Sequence, residues 1–145
     1  MSNKKIEERA VSLALKLDEW WGYVWLIGVL LQWGEPFLDL PEGRRLKQWL
    51  DDCEEFYDGC IVALEEFDRA RIKARKEAGP SEREVKRIQE RFRTADERGR
   101  SKIIQDLFQK ADSLFVIVER EAQNFLEELK SSAKIGRERK NENGC

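Results

Sequence analysis

Between Pro41 and Ala78 the apolar residues Leu46, Leu50, Cys53, Tyr57, Cys60, Leu64 and Phe67 fall at alternating gaps of four and three. That spacing keeps one stripe of an α-helix turned toward a partner helix. A second column, Trp49, Phe56, Ala63 and Ala70, widens the stripe into a core-facing surface. The segment therefore reads as one very long helix, about 55 Å at ~1.5 Å per residue, and as the spine of the molecule. Asp58-Gly59 is a local weakness in it rather than a break, because the stripe continues in register.

Two other stretches repeat the pattern. Ile6, Ala10, Leu13, Leu17, Trp20, Val24, Ile27 and Leu31 predict a first helix over 3–32. Ile104, Phe108, Ala111, Phe115, Val118, Ala122, Phe125 and Leu129 predict a last one over 101–130. Gly34 and Pro36 form the first connection, with Pro41 at the first helical position. Gly79-Pro80 ends the spine, and Ser81 with Glu84 makes a capping box that opens a short helix carrying Val85, Ile88, Phe92 and Ala95. Gly99 and Ser101 read as its C-cap and the next N-cap. The fold class is all-α, an antiparallel bundle of four helices, or of three long ones if Gly99 does not break the chain. The Gly79-Pro80 turn is expected as a protruding tip. Residues 1–130 make one domain, and the polar segment 131–145 is expected to be a disordered tail.

Composition fits one domain with heavily charged outer faces: 145 residues, 41% hydrophobic and 39% charged. Cys53 and Cys60 lie seven apart on one helix, about 10 Å and beyond disulfide reach. They read as small buried hydrophobes, and Cys145 as a terminal thiol, which together suit a reducing compartment. The N-terminus lacks a signal peptide's pattern, so the cytoplasm is expected.

Enzyme chemistry finds little support. The chain has no histidine, which excludes Ser-His and Cys-His nucleophile pairs and histidine metal ligands. The pairs Glu54-Glu55, Glu65-Glu66 and Glu127-Glu128 sit off the apolar stripes and read as solvated faces. Ser12 and Lys16 share the spacing of a Ser-Lys pair but have no oxyanion signature beside them. No catalytic residue, metal or cofactor is expected.

From Trp20 to Gly34 none of the fifteen residues is charged. An all-round apolar helix is ordinarily core. The competing reading is an aromatic docking patch in which Trp20, Trp21 and Trp25 anchor a partner. A membrane reading fails on length, because fifteen residues rise only about 22 Å against a hydrocarbon core of ~30 Å.

Charge is strongly polarised along the spine. From Asp51 to Asp68 there are eight acids and no base, and Asp51, Asp52, Glu55 and Asp58 are the residues expected to receive a protein partner. Residues 69–102 hold thirteen bases against six acids, mostly arginine, whose planar fork suits phosphate. Arg69, Arg71, Lys73, Arg75, Lys76, Arg83, Lys86, Arg87, Arg91, Arg98 and Arg100 are the candidates for contact with nucleic acid. The plainer reading is self-paired, solvated faces, such as Glu82/Lys86, Glu84/Arg87 and Glu90/Arg93. The expected function is a non-enzymatic accessory or regulatory protein that binds a protein partner through its acidic or Trp-rich surface. The alternatives are a small nucleic-acid-binding subunit and a structural homo-oligomer; a membrane partner is not expected.

Overall fold

A computed structural model describes residues 2–33 and 41–143, with side chains over 4–32 and 45–131. Among the described residues every regular element is helical: α1 (Ser2–Trp33), α2 (Pro41–Ala63), α3 (Asp68–Glu77), α4 (Glu82–Thr94) and α5 (Glu97–Asn143). The first connection, at Gly34 and Pro36, and the terminal Cys145 lie outside the described residues. α5 runs on to Asn143, so Lys130 does not mark the end of the helix.

The organising element is α1 rather than the 41–78 segment. All eight of its stripe residues are buried, and so are Ala14, Tyr23, Leu26 and Leu30 beside them. A helix whose second half is apolar on nearly every side gains most by sitting in the middle, and α1 contacts each of the other four. Contacts step down α1 as they step up α5: Lys5 pairs with Glu128 at 3.3 Å, and the Trp20 and Phe115 rings lie 5.4 Å apart.

The expected spine is two helices. α2 stops at Ala63, and tight turns follow: the Leu64 N–H is bound by the Cys60 and Ile61 carbonyls at 3.0 and 3.1 Å, and the Phe67 N–H donates to the Leu64 carbonyl at 2.8 Å. Phe67 precedes α3 with no side-chain cap. No glycine or proline marks this break. Tertiary burial accounts for it: Leu64 is fully buried, and Phe67 packs edge-on against Phe125 of α5 at 5.4 Å. The chain then turns back along α1. Along α2, Phe56 meets Trp20 and Tyr57 meets Trp21. After the turn, Phe67 and Ala70 line a cavity with Val11, and Arg75 lines a groove with Asp18. The small residues Ala70 and Ala74 are the buried ones on α3, and they let it approach α1 closely.

This reversal also removes the protruding tip. The Gly79–Pro80 peptide bond is cis, and Pro80 lies on α1 at Gly22, where an added Cβ would sit 2.7 Å from the proline Cδ. Ser81 does cap α4, with the Glu84 N–H donating to Ser81 Oγ at 3.2 Å, which is the serine half of the expected capping box. Helices α4 and α5 are separate, but the boundary lies at Ala95 and Asp96 rather than at Gly99 and Ser101. The Gly99 N–H donates to Asp96 Oδ1 at 2.8 Å, so Asp96 caps α5.

Candidate functional site

Three surface features bring the expected residues together, and each is built by helices that the α2–α3 reversal sets around α1.

The first lies between α2 and α5, over α1. Asp51, Asp52, Glu54, Glu55 and Asp58 are all exposed along α2. Behind Asp52 a cavity of about 190 Å³ opens, walled by Trp20, Trp49, Phe56 and Phe115 and flanked by Asp52 and Asp112. Trp20, Phe56 and Phe115 pack on one another with ring centres 5.1 to 5.7 Å apart. Trp49 lies 4.6 Å from Phe108. The Trp20 indole N–H is buried without a hydrogen-bond partner. Cys53 also lines the cavity, and its thiol is pushed up to about 12 by burial, then by Asp52 and Asp112. Cys60 is pushed up to about 11 by burial alone. Both thiols stay protonated and unreactive near neutral pH.

The second feature contains the tryptophans. Trp20 is fully buried in the core, so it is not an exposed anchor and borders the surface only as a wall of the first cavity. Trp21 is half-buried and stacked on Tyr57 at 4.3 Å. Trp25 is 51% exposed. Trp21, Trp25, Asp18, Arg75, Pro80 and Val85 line an open groove of about 310 Å³. Burial pushes the Asp18 carboxyl up, while the Arg75 and Arg71 guanidinium groups pull against that rise. The Tyr57 hydroxyl is also pushed up, by burial and then by Asp18.

The third feature takes up part of the basic window. The bases do not converge on one tip. Arg69 and Lys73 line a cavity beside α1 together with Glu66 and Asp68, Arg71 and Arg75 face Asp18, and Lys76, Arg83, Lys86 and Arg98 are exposed. Arg87 and Arg91 join Lys110 of α5 around a cavity of about 250 Å³, with Glu84, Asp106 and Tyr23 on its wall. Burial pushes the Tyr23 hydroxyl up, followed by Glu84 and Glu19. Arg100 is occupied structurally: its Nε donates to the Phe92 carbonyl at 2.9 Å and a terminal nitrogen to the Arg93 carbonyl at 3.2 Å. Its guanidinium also lies 5.0 Å from the Phe92 ring centre, so it clamps the corner between α4 and α5.

Sequence reasoning missed Asp112, Lys110, Asp18 and Tyr23. Asp112 and Lys110 sit beside the α5 stripe, and only its packing reveals which neighbour they face. Tyr23 and Asp18 flank the α1 stripe in the same way. Among the described residues no group of three or more Cys, Asp or Glu side chains is placed to hold a metal ion, and no helix is long and apolar enough to cross a membrane. No family model, curated protein or solved structure matches this chain.

Proposed function

We propose that this chain is a non-enzymatic, cytoplasmic accessory or regulatory protein, built as an antiparallel helical bundle, that binds a protein partner on the acidic face of α2. The opposed stepping of contacts between α1 and α5 supports the bundle reading. The observation that carries the docking reading is the row of exposed carboxylates Asp51, Asp52, Glu54, Glu55 and Asp58, in a stretch that holds no base from 51 to 68. A helix face of one sign steers and orients a partner of the opposite sign, and like-charged competitors are repelled. The test is capture of interacting proteins by the wild type and by the fourfold variant Asp51→Lys, Asp52→Lys, Glu55→Lys, Asp58→Lys. Capture is expected to be lost while the far-ultraviolet circular dichroism is unchanged; retained capture sinks the reading.

A second reading rests on Arg83, Arg87 and Arg91, exposed at successive four-residue steps on α4, with Lys110 across the cavity from the last two. Such a row suits a phosphate backbone, whose contacts position a nucleic acid without reading its sequence. Reversing Arg83, Arg87 and Arg91 to Glu should weaken binding to single-stranded RNA equally on every sequence and flatten its salt dependence. A sequence-selective loss would contradict it.

A further inference from the structure

The geometry points to the cavity between α2 and α5 as the receptor for a single arginine side chain of the partner, held between the Asp52 and Asp112 carboxylates against the Trp49, Phe56 and Phe115 rings. This rests on the docking reading of the acidic face and names what that face recognises.

The space is about 190 Å³, below the ~300–1,000 Å³ of pockets that take drug-sized molecules, so a lone side chain is the natural guest. Its walls are aromatic and its flanks carry two carboxylates donated by different helices. An anion would be repelled. A purely apolar guest would strip water from the carboxylates and give nothing back. A cation on an apolar stem satisfies both parts, since the stem covers the rings and the charge meets the carboxylates. Arginine fits better than lysine, because its flat guanidinium stacks on a ring face while its fork of donors reaches acceptors on two sides. Cys53 lines the same cavity as both carboxylates, and its thiol is pushed up by burial and then by Asp52 and Asp112. The surroundings are complementary to a basic segment: Asp51, Glu55 and Asp58 are exposed on the same helix.

The experiment titrates the full chain, at low salt, with an acetylated and amidated peptide of alternating glycine and arginine, and with its lysine and citrulline forms. The indole N–H signals of Trp20, Trp49 and Trp25 are followed by NMR. The arginine peptide is expected to move Trp20 and Trp49 and leave Trp25 in place. The lysine form should bind more weakly, and the citrulline form should not bind. Asp112→Asn should weaken the arginine peptide about tenfold, roughly 1.4 kcal/mol, while Glu127→Asn, an exposed change on the same helix, should not. Because Asp112 is exposed, this variant keeps the fold and the test stays decisive.

Peptide binding that leaves Trp20 and Trp49 unmoved and is indifferent to Asp112→Asn overturns the cavity, although the acidic face would still stand as a docking surface. Absence of arginine-peptide binding, or equal binding of the lysine form, also overturns the proposal. A rise in solution mass with concentration that Asp112→Asn abolishes, without any peptide bound, would give the cavity to a second copy of the chain and overturn it too.

Discussion

Two glycines of helical segments respond oppositely to one added methyl group. At Gly59 a Cβ meets nothing within 4 Å, so Gly59→Ala should recover the helix propensity that glycine forfeits, up to about 1 kcal/mol. At Gly22 the same methyl would sit 2.7 Å from Pro80 Cδ and 3.3 Å from the Gly79 carbonyl oxygen. The proline ring cannot swing away, so Gly22→Ala should cost about 1–3 kcal/mol in urea unfolding despite the better propensity. Titratable groups give a second residue-scale expectation. The Cys53 and Cys60 thiols are raised to about 12 and about 11, above the ordinary thiol value. Their burial therefore stabilises the fold fully below the ordinary value, and that contribution is lost as pH rises through the folded values. The double variant Cys53→Ala, Cys60→Ala should lose less stability than wild type between about pH 9 and 12. Asp18 is raised as well, by burial, with Arg75 and Arg71 opposing. Tyr57 faces the same site. Asp18 thus penalises the fold where it is ionised, and Asp18→Asn should raise the thermal midpoint at pH 7 but not well below the ordinary carboxyl value.

At the scale of the element, ends of helices were legible to different degrees. The start of α4 was readable because its signal is local: Ser81 and Glu84 close a cap within one turn. The start of α5 was not, because Gly99 looks like a stop, yet Asp96 receives its N–H and the helix begins before it. Asp96→Ala should therefore destabilise by about 1 kcal/mol, read from the urea midpoint. The break between α2 and α3 left no mark in the sequence at all. Leu64 and Phe67 continue the spacing of a straight helix, and they are the residues whose burial against other elements bends the chain. Leu64→Ala should cost about 2–5 kcal/mol in the same unfolding measurement, because a fully buried side chain leaves a cavity when cut.

For the whole molecule, the α2–α3 reversal decides where charge ends up. A straight spine would have carried its bases to a distant tip; the folded-back chain sets Arg71 and Arg75 beside Asp18 and divides the remaining bases between separate surfaces. The acids of α2 stay together, since they occupy one outward face of one unbroken helix. Reversing Asp51, Asp52, Glu55 and Asp58 should accordingly leave the thermal midpoint within a few degrees of wild type, as surface changes usually do. The sequence alone determined that the chain is helical, which α1 residues are buried, and which α2 residues face water, because helical periodicity is a property of neighbours three and four apart. Only the tertiary structure decided that the spine turns back, that α1 is its hub, and that Asp112 stands with Asp52 beside an aromatic cavity. Those facts depend on contacts between residues far apart in the chain, and local spacing carries no record of them.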